Sequence, residues 1–379
     1  MINNNFEDIR PYNDSEIPEA IKRVAESIHF HGLVKHAFSP DIEFRKFTEY
    51  FRKIKTVHEF QVQIMDKAIR RILSQTANGF SYSGFEQLSR GKNYMFLSNH
   101  RDILLDSAIL QVILHECGLE TSEITFGSNL MTSQFAIDIG KMNKMFKIVR
   151  GGTMREIFEN SLKVSQYMRY AITQKHQSTW IAQRNGRTKN GFDVTEVAVL
   201  KMFAMSSSLD FVPNLMELNI VPIAISYEYE PCDFLKTREL YISKRKQYIK
   251  ELGEDMGSVI QGVVQWKGHI HLAVCEPISE EELNKCNAFS HNEKFKSLAE
   301  IIDEKIYKNY KLYKTNYIAY DLLHNSKAYN THYSEEEKES FKSYMAGGLK
   351  DIEGNVKELE AIFLQMYATP LEREPLNVK

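Results

Sequence analysis

Residues 94–106 read YMFLSNHRDILLD, and this stretch decides the fold. Its apolar run at residues 94–97 predicts a buried strand, and the periodicity of residues 103–114 predicts a helix directly after it. His100 lies between the two, and Asp102 and Asp106 follow closely. In an α/β sheet, such a strand end delivers side chains into a crevice where ligands bind. We therefore expect His100 to lie in a functional site at the edge of a sheet.

The rest of the middle region, residues 79–284, alternates short apolar runs with helical patterns. Further strands are predicted at residues 146–149, 179–182, 220–226 and 269–274. The last of these, HIHLAV, alternates polar and apolar residues, as an edge strand or a half-buried strand does. Strands separated by helices predict an α/β domain with a mostly parallel sheet flanked by helices.

Both ends of the chain, residues 1–78 and 285–379, are predicted to be helical extensions of this domain. Two helical faces near the start are formed by Ile17, Ile21, Val24 and Ile28, and by residues 62, 65, 69 and 72. Near the other end, residues 334–337 have the spacing of a capping box, and Gly347-Gly348 is predicted to break the chain. An amphipathic helix is predicted over residues 352–366.

The composition excludes several classes of protein. Of the 379 residues, 43% are hydrophobic, which is too many for a globally disordered chain. Lysine and arginine total 48 against 50 acidic residues, and the net charge of -2 gives no bulk positive field for nucleic acid. The four cysteines are far apart and form no CxxC pair, so we expect neither a disulfide framework nor a zinc site.

The same composition bears on localisation. A polar and acidic N-terminal stretch predicts that there is no signal peptide. Because no run of 18 apolar residues occurs, no transmembrane helix is expected. We therefore expect a cytoplasmic protein that meets a membrane peripherally, at its inner face.

His100 and the two acids after it have the chemistry of a general base. A neutral imidazole can take a proton from a hydroxyl group near neutral pH. A carboxylate on its other ring nitrogen would fix the tautomer and stabilise the imidazolium ion that forms. From these residues alone, a turn with a helix-capping Asp102 and a surface histidine is an equally weighted alternative.

Two later loops combine glycine with cationic side chains. Residues 146–152, FKIVRGG, place Arg150 at a strand end beside two glycines. Residues 180–191, WIAQRNGRTKNG, place three cations around Gly186, namely Arg184, Arg187 and Lys189. Glycine lets backbone amides approach an anion, and guanidinium groups bind phosphate through two parallel hydrogen bonds. Each loop taken alone is more typical of a solvated surface, whereas the two together with His100 favour a phosphate site.

Followed by the Val221-Pro222 strand, these blocks resemble the phospholipid/glycerol acyltransferase family, which includes glycerol-3-phosphate and 1-acylglycerol-3-phosphate acyltransferases. The resemblance covers roughly residues 90–280. It implies a catalytic pair of His100 with Asp106, or with Asp102 as the alternative acid. It also implies which residues hold the acceptor phosphate: Arg150, Arg184, Gly186, Arg187 and Lys189.

The resemblance further implies the reaction. His100 would deprotonate an acceptor hydroxyl, which attacks the thioester of acyl carrier protein or coenzyme A without a covalent acyl-enzyme. The acceptor would be a (lyso)lipid of the glycerol-phosphate type. The acyl thioester is a co-substrate, and neither a cofactor nor a metal ion is implied.

Three departures from the family pattern keep alternatives open. The family has its acid five residues after the histidine, where this chain has Leu105. The glycine that opens the second block is absent, and so is the glutamate of the third block, near whose place Gln183 or Asn185 stands. The alternatives are an N-acyltransferase acting on an amine lipid and a non-catalytic lipid-binding relative.

Two locally basic stretches predict contact with an anionic membrane surface. The first combines Arg45, Lys46, Arg52, Lys53 and Lys55 with interleaved aromatic residues on one predicted helix. The second combines Lys236, Arg238, Lys244, Arg245, Lys246 and Lys250. Cations near an anionic surface add binding energy, so we expect salt-sensitive binding to anionic vesicles. A core position for the aromatic side of the first helix is the alternative.

Overall fold

The computed structural model describes residues 6–38, 41–251 and 253–373. Within this part, seven strands form one sheet in the order β1-β7-β6-β2-β5-β3-β4. They are β1 Gly79–Ser83, β2 Met95–Ser98, β3 Glu123–Gly127, β4 Met145–Ile148, β5 Thr179–Ala182, β6 Ile220–Tyr227 and β7 His269–Val274. Neighbouring strands pair in parallel except β6 and β7, which are antiparallel. The predicted mostly parallel sheet is confirmed.

The five strands predicted from apolar runs lie within one residue of their predicted bounds. Two others were missed, because β1 is mostly exposed and β3 is a short strand that contains a buried acid, Glu123. The edge-strand alternative for β7 is wrong, since β7 lies between β6 and β1. Its partial exposure at His269 and His271 fits the half-buried alternative.

Helices flank the sheet and continue beyond it at both ends of the chain. The α-helices of the described residues are α1 Ile17–Glu26, α2 Phe30–Ala37, α3 Phe44–Phe51, α4 Val57–Phe60, α5 Asp66–Thr76, α6 Leu105–Glu116, α7 Gln134–Met142, α8 Met154–Thr173, α9 Val197–Ala204, α10 Phe211–Met216, α11 Asp233–Ser243, α12 Glu254–Val264, α13 Glu280–Asn287, α14 His291–Asn309, α15 Lys314–Leu323, α16 Glu335–Leu349 and α17 Val356–Arg373. In the described part of the chain, no helix is long and apolar enough to cross a bilayer.

The sheet separates two apolar cores, because successive strand residues point to opposite faces. Met95 and Leu97 of β2 face a core completed by α8, α9, α10, α13 and α14. Phe96 faces a core completed by α5 and α6. Strands β2 to β6 run in the same direction, so their carboxyl ends meet at one edge of the sheet. That edge is where the predicted site residues lie.

The N-terminal helices form a separate apolar cluster, to which Ile17, Ile21 and Val24 contribute. The predicted extension of this face to Ile28 is wrong, because α1 ends at Glu26 and Ile28 is 90% exposed. Residues 62–72 are helical as predicted, although Gln61–Met65 form a π-helix before α5.

The C-terminal helices α15 to α17 share a fourth apolar cluster. The predicted capping box is present, with Ser334 accepting from the Glu337 amide. The predicted break at Gly347-Gly348 is wrong, since both glycines lie inside α16 and Gly348 admits the Phe234 ring. The division into three regions stays a prediction, and its terminal residues 1–5 and 374–379 lie outside the described residues.

The two basic stretches are less uniformly exposed than the sequence predicts. On α3, Phe47 and Phe51 are buried, as the core alternative predicts. Arg45 and Lys46 form ion pairs on the same helix segment, with Glu49 and Glu43 respectively. In the second stretch, Lys236 is fully buried and therefore does not belong to a basic surface. Binding to an anionic membrane stays a prediction.

Candidate active site

The turn between β2 and α6 fixes the position of His100. Directly before it, Asn99 donates from Nδ2 to the Ile225 carbonyl at 3.0 Å and accepts from the Ile225 amide at 2.8 Å. These two bonds tie the end of β2 to β6. On the other side, the Thr188 amide donates to the His100 carbonyl at 2.8 Å. Two neighbouring segments thus hold the backbone around His100, which fixes the direction of its side chain.

Asp106 contacts the imidazole. Its Oδ2 lies 2.9 Å from His100 Nδ1 and also accepts from the amides of Arg101 at 2.6 Å and Asp102 at 3.0 Å. Its Oδ1 accepts from the Tyr227 hydroxyl at 2.8 Å. These hydrogen bonds hold the Asp106 carboxyl group in one orientation against the imidazole. With Nδ1–H donating to Asp106, Nε2 keeps the lone pair that a base requires.

Asp102 has a different position at the start of the same helix. Its Oδ1 accepts from the amides of Leu104 at 2.9 Å and Leu105 at 2.8 Å, as in the capping alternative. Burial raises the pKa of Asp102, and the nearby charge of Asp106 raises it further. The histidine of that alternative is not at the surface, because His100 is only 8% exposed. Of the two candidate acids, the structure brings Asp106 to the imidazole.

His100 lines an open cleft at the carboxyl edge of the sheet. Trp180 packs edge-on to the imidazole, with ring centroids 5.8 Å apart. The cleft is lined by polar and apolar groups, among them Ile103, Phe126, Ile148, Arg150 and Arg187. The cleft can therefore accept a ligand that combines an apolar part with an anionic part.

Arg150 and Arg187 lie in this cleft, as does Gly186. Arg150 follows β4 and is exposed, and Gly127 lets it approach, since a Cβ at Gly127 would stand 3.0 Å from Arg150 Nε. Arg187 is half-buried, and its Nη1 is buried without a hydrogen-bond partner among the described residues. Its guanidinium also lies close to the Asp102 carboxylate and the Cys232 thiol. Arg187 and Arg150 together give the cleft two cationic groups, which suits an anionic ligand.

Arg184 and Lys189 lie apart from this pair. Both line a neighbouring groove that shares Gly186 and Arg187 with the cleft. Lys189 forms an ion pair with Glu239. The structure thus separates the five predicted phosphate ligands into three that line the cleft with His100, namely Arg150, Gly186 and Arg187, and two that lie beside it.

The sequence pattern missed two charged residues of the cleft. Lys250 reaches it and pairs with Asp255 at 2.5 Å, and Asn129 Nδ2 donates to the same carboxylate at 2.7 Å. The sequence predicts Lys250 to be part of a basic surface stretch, since nothing in its local sequence points to the cleft. Gln183, near the place of the family's third-block glutamate, is fully buried, and Asn185 is exposed in the groove beside the cleft.

Behind the turn, Arg101 organises a buried ionic network that the sequence did not predict. Its guanidinium contacts Asp193 at 2.5 Å and Glu230 at 3.0 Å. Lys236 donates to Glu230 at 2.6 Å and to the Arg101 carbonyl at 2.8 Å. Paired charges of this kind hold a loop in one geometry, so the network supports the turn that carries His100.

Metal ligation has no candidate cluster in this structure. Within residues 6–38, 41–251 and 253–373, no group of three or more His, Cys, Asp or Glu side chains is placed to hold a metal ion. The expectation that the protein needs no cofactor stays a prediction.

Similarity to known proteins is found among solved structures. No family model matches the chain, and no curated protein matches it. Among solved structures, the chain is similar to the 1-acyl-sn-glycerophosphate (LPA) acyltransferase PlsC from Thermotoga maritima. The similarity covers 76% of this chain and 91% of that one, at 10% identity and a TM-score of 0.37. At that TM-score the similarity carries no functional conclusion, which must come from the site itself.

Proposed function

We propose that the protein is an acyltransferase that moves a fatty acyl chain from a thioester to a phosphate-bearing lipid acceptor of the glycerol-phosphate type. The thioester would be carried by acyl carrier protein or coenzyme A. The observation that carries the proposal is the His100–Asp106 pair, with Nδ1 and Oδ2 2.9 Å apart, in a cleft that also contains Arg150 and Arg187. Base and anion-binding groups therefore face one ligand space.

In the proposed reaction, His100 Nε2 takes the proton from an acceptor hydroxyl as its oxygen attacks the thioester carbonyl carbon. A carbon–oxygen bond forms, the carbon–sulfur bond then breaks, and the leaving thiolate receives the proton from the imidazolium. Asp106 stabilises the imidazolium through Nδ1–H and holds the ring in one tautomer. The acyl group passes directly between substrates, so no side chain needs to become acylated.

The acceptor phosphate would lie between Arg187 and Arg150. Arg187 supplies a half-buried guanidinium and Arg150 supplies an exposed one, and both residues line the cleft. Hydrogen bonds to charged groups contribute roughly 1.5–3 kcal/mol each. Such contacts would orient the acceptor hydroxyl toward Nε2.

The first test measures acyl transfer by mass spectrometry with acyl donors and a panel of lipid acceptors. His100→Ala should lower kcat by roughly 10²–10⁴-fold, because it removes the positioned base. His269→Ala is the matched control, since His269 is exposed on β7 and does not line the cleft. Near-wild-type turnover by His100→Ala, with unchanged circular dichroism, would remove this residue from the mechanism.

The same assay tests the acceptor class. Arg187→Ala and Arg150→Ala should raise KM for a phosphate-bearing acceptor by about 10- to 100-fold and change KM for the donor little. Arg90→Ala, which alters an exposed arginine between β1 and β2 that does not line the cleft, is the control. A best acceptor without phosphate would favour the amine-lipid alternative. Lipid binding without transfer from any donor would favour the non-catalytic alternative.

A further inference from the structure

The start of α8 exposes large apolar side chains beside the cleft. Met154 is 83% exposed and Phe158 is 59% exposed, and Ile157 between them is also exposed. Their spacing of three and four residues places them on one side of the helix. All of residues 149–159 are exposed, and this segment directly follows Ile148 and includes Arg150, which both line the cleft. An apolar helix end thus projects from one side of the ligand space.

Helix α12, whose Asp255 also lines the cleft, exposes a second apolar stripe. Met256, Ile260 and Val264 recur every four residues, and all three are exposed. The opposite face is built from the small residues Ser258 and Gly262, which are buried. Helix α12 therefore departs from the usual surface helix: Val263 is partly buried against the core, but Met256, Ile260 and Val264 face outward.

The inward contacts of α12 explain why its stripe of large apolar side chains faces outward. Cys232 Sγ donates to the Ser258 carbonyl at 3.3 Å, and a Cβ at Gly262 would overlap Asp102 Oδ2. The helix backbone lies so close to the β2–α6 turn that only small residues fit between them. Since Asp255 at the start of α12 lines the cleft, the helix is anchored to the site while its bulky side chains stay outside.

Cationic side chains lie close in sequence to both apolar faces. Arg150 precedes α8, and Lys244 and Lys246 are exposed in the segment that leads to α12. In contrast, α12 itself contains no lysine or arginine. An interfacial helix places its apolar face at the acyl boundary while nearby cations reach the headgroup layer. Trp266, which follows α12 and is partly exposed, has the amphipathic ring that prefers this boundary.

We propose that these two faces, Met154/Ile157/Phe158 and Met256/Ile260/Val264, form an apolar rim that inserts into the surface of an anionic phospholipid bilayer. The proposal deepens the proposed function and rests on it, because a lipid acceptor must pass from the bilayer to His100. An acidic carrier protein would contact the cations alone, and the apolar rim would stay exposed to water. The rim also differs from α3, where the main aromatic residues are buried and Arg45 and Lys46 are paired.

The test is co-sedimentation with vesicles of equal parts phosphatidylcholine and phosphatidylglycerol. One variant replaces Met256, Ile260 and Val264 with serine, and a second replaces Met154, Ile157 and Phe158. The matched control replaces three exposed apolar residues elsewhere, Ile28, Phe289 and Val356. Each rim variant should bind vesicles about tenfold more weakly or worse, whereas the control should bind like wild type.

A second readout places a fluorescent label at one added cysteine, in a Cys117→Ser background because Cys117 is half-buried while the other three native cysteines are buried. A polarity-sensitive dye on Ile260→Cys should shift to the blue when vesicles are added, whereas the same dye on Ile28→Cys should not. Unchanged sedimentation of both rim variants, or equal shifts at the two positions, would overturn the rim. A rim variant that changes the oligomeric state by sedimentation velocity, without changing vesicle binding, would instead assign the face to a second copy of the chain.

The outcomes separate the rim from the proposed function. All binding measurements are repeated with His100→Ala, which should bind vesicles like wild type. Rim-dependent binding with no acyl transfer to any acceptor would contradict the proposed function and leave the rim standing. Acyl transfer by wild type, together with rim-independent binding, would contradict the rim alone.

Discussion

At the scale of single residues, the two acids after His100 are distinguished by what each carboxylate oxygen accepts. Both Asp106 oxygens have donors, and one of them is the imidazole. Asp102 uses one oxygen to cap α6, and its Oδ2 has no hydrogen-bond partner among the described residues. An amide group can replace the Asp102 carboxylate, of which only Oδ1 accepts hydrogen bonds from the described part of the chain. It cannot replace the Asp106 carboxylate, of which both oxygens accept. The two positions therefore allow a matched comparison of the same substitution.

We expect Asp106→Asn to lower kcat by about 10²-fold or more, because an amide cannot stabilise the imidazolium and its NH₂ group would face other donors. Asp102→Asn keeps the capping oxygen and does not alter the group that contacts the imidazole, so kcat should change by less than about tenfold. Its buried NH₂ group gains no acceptor among the described residues, so the cost should appear in thermal stability instead. The measurement is steady-state kinetics with thermal unfolding of both variants. A clearly larger loss in Asp102→Asn would make Asp102 the acid that orients His100.

At this scale, the sequence could predict residues that are adjacent along the chain. His100, Asp102 and Asp106 lie within one strand–turn–helix unit, so their local spacing carries the information. Tyr227 and Lys250 reach the same site from more than 100 residues away, and no local pattern marks a side chain that meets its partner only after folding. The split between Arg187 in the cleft and Lys189 beside it also depends on backbone direction within one loop.

At the scale of elements, the two glycines of α16 differ in what surrounds them. A Cβ at Gly348 would overlap the Phe234 ring of α11, whereas a Cβ at Gly347 would meet nothing within 4 Å. Gly348→Ala should lower the free energy of unfolding by roughly 1–3 kcal/mol through overpacking. Gly347→Ala should raise it by up to about 1 kcal/mol, because alanine favours a helix. Urea unfolding of both variants is the measurement, and equal effects of the same sign would contradict this packing.

The side chains that an element buries decide whether that element could be predicted from the sequence. Strands with continuous apolar runs, such as β2 and β6, are buried on both faces and stand out in the sequence. In β3, Glu123 is buried because it accepts from the Tyr167 hydroxyl and pairs with Lys175, so the strand lacks an apolar run. Adjacent glycines are typical of a break, but a close helix contact keeps Gly348 helical.

At the scale of the whole molecule, the C-terminal helices are joined to the candidate site through Asp233. Its Oδ2 accepts from the hydroxyls of Tyr344 in α16 at 2.8 Å and Tyr367 in α17 at 2.7 Å. The Tyr367 hydroxyl in turn accepts from the Glu230 amide at 2.9 Å. Glu230 pairs with Arg101, the residue after His100. These contacts join residues that are far apart along the chain, so no local sequence pattern predicts them.

This connection should give the protein a specific dependence of stability on pH. Burial raises the pKa of Asp233 from 3.8 to about 6, although the Tyr367 and Tyr344 hydroxyls act in the opposite direction. A carboxyl whose pKa is higher in the folded state stabilises the fold fully below pH 3.8, and this contribution is lost as the pH rises to about 6. A shift of this size corresponds to about 3 kcal/mol.

Asp233→Asn removes the titrating group, so the free energy of unfolding of wild type relative to this variant should fall by up to about 3 kcal/mol as the pH rises from about 4 to about 6.5. Asp303, whose pKa burial also raises to about 6, is present in both proteins and cancels in the difference. Urea unfolding at several pH values is the measurement, and Asp351→Asn, at an exposed position, is the control that should give a flat difference. If the difference for Asp233→Asn is also flat, or rises with pH, then Asp233 does not fold preferentially in its protonated form. In that case the C-terminal helices would be held to the site by hydrogen bonds to a carboxylate that stays charged, and their docking would not weaken as the pH rises through this range.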